Sequence, residues 1–134
     1  MPVPEKRRPR VLVADDEQVI ADTLCVILNH NGFEAVAAYD GESAVERARS
    51  WPPDILLSDV VMPGIDGIAT ATEICRMIPS CCVLLLSGNL RSPKLHYEAH
   101  LCGIDFELLQ KPLPPDVLLE RLRAVWAARA GGAV

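Results

Sequence analysis

The chain has 134 residues, half of them hydrophobic, with 13 basic and 18 acidic side chains and a formal net charge of −5. That length fits one domain able to bury roughly two-thirds of its unfolded surface without disulfide or metal staples, and the acidic balance argues against a general nucleic-acid binder, whose phosphate contacts need clustered Lys and Arg. The longest apolar runs, such as residues 81–86, fall far short of the roughly 20 residues that span a bilayer.

The chain opens on MPVPEKRRPR, which holds the one basic cluster, Lys6, Arg7, Arg8 and Arg10. No apolar stretch follows it in the manner of a secretory signal, so residues 1–9 are expected to be a solvated tail and the protein cytoplasmic. An apolar run at 11–14 comes next, followed by Ile20, Leu24, Ile27 and Leu28 at helical spacing and a stop at Asn31-Gly32. A second run, 35–38, precedes the stripe Ala44, Val45, Ala48 and Trp51, which Pro52-Pro53 break. The third, 55–57, precedes Ile68, Ala71, Ile74, Cys75 and Ile78, ended by Pro79. The fourth, 83–86, leads to a helix over 95–102 closed by Gly103. The fifth, 106–109, is interrupted by Glu107 and leads to a helix from Asp116 to about 130, with Val117, Leu118, Leu122 and Val125 inward.

Short, continuous apolar runs are the mark of strands covered on both faces. Five of them in strict alternation with five helices predict an α/β unit over residues 10–128, with helices on both sides of one parallel sheet. Residues 129–134, which include Gly131-Gly132, are expected to fray. The five cysteines form no C-x-x-C pair and are expected to pack as reduced thiols. Trp51 and Trp126 read as packing residues, and His30, His96 and His100 have no ligand-like partners.

In an open parallel sheet, ligands bind beyond the carboxyl ends of the strands. There the sequence places Asp15, Asp16 and Glu17, then Ser58 and Asp59, then Ser87, Gly88 and Asn89, then Gln110, Lys111 and Pro112. Clustered carboxylates raise one another's pKa unless a cation neutralises them. Hard oxygen ligands without His or Cys favour Mg²⁺. Lys111, Ser87 and the amides around Gly88 add the donors that a phosphoryl group needs. Asp59 is the best candidate nucleophile, because it ends a central apolar strand and is followed by the tight turn Met62-Pro63-Gly64; Asp15 and Asp16 suit the metal.

These residues resemble the receiver domain of bacterial two-component response regulators, from about residue 10 to about 128. The resemblance rests on Asp15-Asp16, the stretch DVVMPGIDG at 59–67, Ser87-Gly88 and Lys111-Pro112, in that order at the ends of the right strands. It implies a (βα)5 doubly wound, flavodoxin-like sheet of order 2-1-3-4-5. It implies that Asp59 accepts a phosphoryl group from a sensor histidine kinase or phosphotransfer protein. Mg²⁺ would be held by Asp16, Asp59 and the backbone carbonyl of Val61, with Asp15 acting through water. Ser87, Gly88 and Lys111 would contact the phosphoryl oxygens, and Lys111-Pro112 would be a cis peptide. Ser87 would act as a moving hydroxyl whose shift repacks the surface of the fourth helix, fifth strand and fifth helix. The family's aromatic switch lies three positions before the lysine, where Leu108 stands here with Phe106 two residues earlier, so the switch falls to Phe106 or Leu108.

The resulting expectation is a signalling module that catalyses at most its own phosphorylation and autodephosphorylation. Its other expected partner is a downstream protein, with no direct nucleic-acid binding, no membrane contact, and a monomer or phosphorylation-dependent dimer. Residues 112–134 suffice for one helix but not for a helix-turn-helix output domain, so none is expected. A haloacid-dehalogenase-like phosphatase is the alternative, although its D-x-D motif is absent after the first strand.

Overall fold

In the computed structural model, which describes residues 7–132, five strands alternate with five helices. The strands are β1 (Arg10–Ala14), β2 (Glu34–Ala38), β3 (Ile55–Asp59), β4 (Cys82–Ser87) and β5 (Glu107–Gln110). The helices are α1 (Gln18–Asn29), α2 (Gly41–Ser50), α3 (Gly67–Met77), α4 (Pro93–Leu101) and α5 (Pro115–Gly132). All neighbouring strands pair in parallel, in the predicted order β2-β1-β3-β4-β5.

The sheet is buried on both sides because successive side chains of a strand point to opposite faces and nearly all of them here are aliphatic. Leu12, Leu56, Val83 and Leu85 pack with α2, α3 and Leu95 of α4 in one cluster. Val11, Val13, Ile55, Leu57 and Leu84 pack with α1 and with Leu118 and Leu122 of α5 in the other. Three helices start where a side chain takes up a free amide: Asp40 Oδ1 accepts from the Ser43 N–H at 2.6 Å, Asp66 Oδ1 from Ala69 at 2.8 Å, and Ser92 Oγ from Leu95 at 3.2 Å.

Several boundaries differ from expectation. Residues 1–6, 133 and 134 lie outside those described, and α5 continues to Gly132, into the 129–134 stretch that was expected to fray. The solvated tail ends sooner than expected as well. Arg7 reaches Asp54, directly before β3, with Nη1–Oδ2 at 2.6 Å and Nη2–Oδ1 at 2.7 Å. The Arg10 amide donates to the same carboxylate at 2.8 Å and Arg129 Nη1 lies at 3.4 Å, so the start of the described chain and the end of α5 share one acceptor. Glu107, which interrupts the fifth run, is tolerated because β5 is an edge strand and Arg121 of α5 grips its carboxylate with two bonds of 2.6 Å. All five cysteines are free thiols, and burial pushes Cys81 up to about 12 and Cys25 up to about 11. No helix among the described residues is long and apolar enough to cross a membrane.

Two tests follow from this packing. A Cβ on Gly67 would lie 2.2 Å from the Asp59 carbonyl oxygen, whereas one on Gly88 would meet nothing within 4 Å. Gly67→Ala is therefore expected to cost about 1–3 kcal/mol or more in urea denaturation, and Gly88→Ala next to nothing; equal losses would refute the close approach.

Burial works to raise the Asp54 pKa, but the Arg7 hydrogen bonds, the Arg10 amide and Arg129 outweigh it and hold the carboxyl below its ordinary value. The unfolded chain then binds this proton more tightly, so the stability gained is present above the unfolded pKa near 3.9 and is lost as pH falls through the folded value. Asp54→Asn is expected to destabilise the protein by about 1.5–3 kcal/mol at neutral pH, with the gap to wild type shrinking below about pH 4. A gap independent of pH would assign the loss to shape rather than charge.

Candidate functional site

The carboxyl ends of β1, β3, β4 and β5 form one edge, and the ladder continues past them. The Asp15 amide donates to the Ala38 carbonyl at 3.1 Å, Val60 to Leu86 at 2.9 Å, and Lys111 to Ser87 at 2.9 Å. These bonds fix the backbone of each residue just beyond the sheet, so the side chains there converge without a long loop. Asp15 is buried with its Oδ1 accepting from the Glu17 amide at 3.0 Å, while Asp16 is exposed. Asp59, the last residue of β3, has a side chain 11% exposed, and Lys111 Nζ stands 3.2 Å from its Oδ2.

Asp15, Asp16 and Asp59 each offer a carboxylate oxygen, all within 4.8 Å of one another. Oxygens around an octahedral Mg²⁺ at 2.1 Å sit roughly 3.0–4.2 Å apart, so a small adjustment fits this all-oxygen set to a hard divalent cation. Burial pushes the Asp59 carboxyl up; Lys111 opposes that, and the charges of Asp15 and Asp16 add to it. The net direction is upward, so one lysine does not compensate the site by itself.

Ser87 is buried at the end of β4, and its Oγ accepts from the Asn89 amide at 3.1 Å, which leaves the hydroxyl proton free to donate. Gln110 ties the ends of β4 and β5 together, since its Nε2 donates to the carbonyls of Gly88 and Lys111, each at 2.9 Å. Lys111-Pro112 is cis, as the resemblance implies. Val61 is 75% exposed beside the site. A cavity of ≈560 Å³ opens beside Ser87, lined by Val60, Met62, Asn89, Lys94 and Leu95 among others.

The structure does not bring every sequence-derived candidate to the site. Phe106 and Leu108 lie on one face of the β5 segment and pack into the cluster under α2, α3 and α4. Leu108 sits opposite Leu85, whereas Phe106 lines a separate cavity of ≈700 Å³ beside Cys75, Cys81 and Val125. Neither cavity has Asp15, Asp16 or Asp59 among its lining residues. Sequence analysis placed Gln110 at a strand end and Asp66 and Gly67 in the 59–67 stretch but gave none of them a role: Asp66 starts α3, the Gly67 amide donates to the Val60 carbonyl at 2.7 Å, and Gln110 ties β4 to β5. Asp66 had a legible signal as a capping residue directly before a helical stripe.

Asp59 yields a test. Because the folded chain binds this proton more tightly than the unfolded one, the carboxylate costs stability above the unfolded pKa near 3.9. Asp59→Asn is expected to raise the urea midpoint of the metal-free protein at neutral pH, with the gain fading as pH falls towards 4. A variant less stable than wild type at pH 7 would contradict the uncompensated charge.

Comparison with known proteins gives one consistent answer. Residues 11–123 match the family described as response regulator receiver domain. The DNA-binding response regulator MtrA of Mycobacterium tuberculosis is 28% identical over 120 residues, covering 87% of this chain and 50% of that protein. The response regulator MprA of Mycobacterium ulcerans is 32% identical over 123 residues, covering 87% and 49%. The chain thus spans about half the length of the curated relatives it matches. A CheY-like receiver domain protein from Methanospirillum hungatei shares the fold at 21% identity, with a TM-score of 0.85 over 93% of this chain and 98% of that one. Chemotaxis protein CheY4 of Vibrio cholerae matches at 28% identity and a TM-score of 0.78, over 88% and 98%.

These relatives correct the expected partner set. MtrA is by name a DNA-binding regulator, so the expectation of no direct nucleic-acid binding does not hold for this relative. The net charge of −5, on which the expectation rested, describes these 134 residues only. The haloacid-dehalogenase alternative is left without support.

Proposed function

The chain belongs to the family of response regulator receiver domains, and we propose that within it Asp59 is the residue that takes the phosphoryl group in two-component signalling. The observation that carries this is the meeting of Asp59 with Lys111 at 3.2 Å inside a cluster of three carboxylates. The donor is the phosphohistidine of a sensor histidine kinase. An Asp59 carboxylate oxygen attacks phosphorus, the P–N bond to imidazole breaks, its electrons leave with the imidazole, and an acyl phosphate remains.

Asp16, Asp59 and the Val61 carbonyl would hold Mg²⁺; the buried Asp15, already engaged by the Glu17 amide, acts on it through water. When bound, Mg²⁺ supplies charge neutralisation for the incoming phosphoryl oxygens. Lys111 supplies the positive charge on the other side of Asp59, and the Ser87 hydroxyl and Gly88 amide supply hydrogen bonds to the phosphoryl oxygens. Ser87 then reports the modification, because turning its hydroxyl towards the phosphoryl group exchanges its bond with the Asn89 amide for a new one and favours a second packing of the neighbouring helices. Leu108, packed opposite Leu85, is closer in register to Ser87 than Phe106 and is the better placed of the two to follow it. The module turns over no external substrate beyond its own phosphorylation and loss of phosphate, and the same reading makes it cytoplasmic.

The test is intact mass after incubation with acetyl phosphate and Mg²⁺. One phosphoryl addition is expected for wild type and for Lys111→Ala, and none for Asp59→Ala. Lys111→Ala is further expected to lose most of the amide shifts that beryllofluoride induces in wild type. Addition to Asp59→Ala, or normal shifts in Lys111→Ala, would overturn the assigned roles.

A further inference from the structure

The end of the sheet opposite the carboxylates carries the reverse charge. Arg7, Arg8 and Arg123 line a cavity of ≈370 Å³ with Trp126 and the Asn31-Gly32 turn, and no carboxylate is among its lining residues. Arg8 donates to the Asn29 carbonyl and Arg123 to the Asn31 carbonyl at 3.4 Å, both at the end of α1. Among the described residues neither arginine has a carboxylate partner.

Capping alone does not account for this much charge. The carboxyl end of a helix carries roughly half a negative charge, against two full positive charges on Arg8 and Arg123. Each guanidinium has five N–H donors, and one carbonyl bond leaves most of that fork free. Asp54 cannot absorb the surplus, because its two oxygens already serve Arg7, the Arg10 amide and Arg129. Arg7 and Arg129 in turn lie 6.0 and 5.0 Å from the centre of the Trp126 ring, which holds this side of the cavity in place.

We propose that this cavity is a binding site for a small phosphate-class anion, held by the free N–H groups of Arg8 and Arg123, with Arg7 adding positive potential behind them. The planar fork of arginine matches phosphate oxygens in pairs, and the volume lies within the range of small-ligand sites. The site lies at the other end of the sheet from Asp59 and does not depend on its chemistry. The ligand is inorganic phosphate, pyrophosphate or the phosphate end of a nucleotide.

The full chain, labelled with ¹⁵N and free of Mg²⁺, is titrated with sodium pyrophosphate, inorganic phosphate and adenosine monophosphate at constant ionic strength. The Trp126 indole and Gly32 amide are expected to shift and saturate, with little change at Gly88. Equal binding of phosphate and the nucleotide assigns the site to the phosphate alone, and tighter nucleotide binding adds the Trp126 ring to it. Arg8→Gln with Arg123→Gln is expected to weaken binding at least tenfold while beryllofluoride uptake at Asp59 is unchanged. Should the double variant lose its fold, Arg8→Glu alone must abolish saturation. Linear shifts, shifts centred on Gly88, or undiminished binding in the variants would overturn the proposal.

Discussion

Three carboxylates that share a space less than 5 Å across set the terms for this fold. The parallel register of β1 and β3, with Ala14 opposite Ser58, brings Asp15 and Asp16 alongside Asp59. The pairing of Ser87 with Gln110 carries Lys111 to the same point. Like charges at this distance repel, and burial deepens the cost, so the apolar sheet must be stable enough to hold them. The central strands beneath are accordingly aliphatic on both faces, and backbone bonds from Asp15, Val60 and Lys111, with the Gln110 side chain between β4 and β5, hold the edge in place.

β3 makes the contrast within a single strand. Asp54, just before its start, has donors on both oxygens and is held below the ordinary carboxylate range. Asp59, at its end, is pushed above it by burial, which one lysine opposes and the charges of Asp15 and Asp16 reinforce. The same residue type is a structural tie at one end and an undercompensated carboxylate at the other, and the donors each one meets make the difference. The tie anchors the segment before β1 and the end of α5 to the base of β3, so the strand that presents Asp59 is braced from below.

The sheet was legible because its five apolar runs are short, continuous and separated by helical stripes, and prolines and glycines mark the breaks. The placement of Asp15, Asp16, Asp59, Ser87 and Lys111 at one edge was legible because each stands at or just after the end of an apolar run. What escaped the sequence was long-range. Nothing local shows that Arg7 reaches across 47 residues to Asp54, so the basic segment read as solvent-facing. Gly67 stood in the 59–67 stretch with no physical reason attached, and only the fold shows the Asp59 carbonyl where its Cβ would go. Phe106 drew notice as an aromatic near the lysine, yet β5 begins after it and its ring lines another cavity. The partner set was misjudged for a different reason, since composition describes only the residues it counts.

The central claim is that Asp59 carries the phosphoryl group, and the most direct measurement is chemical trapping of its position. The protein is treated with acetyl phosphate and Mg²⁺, reduced with borohydride, which converts an aspartyl phosphate to homoserine, and mapped by peptide mass spectrometry. Reduction confined to residue 59 is the predicted result. Homoserine at position 15 or 16 instead, or no reduced residue in protein that has gained the phosphoryl mass, would contradict the account.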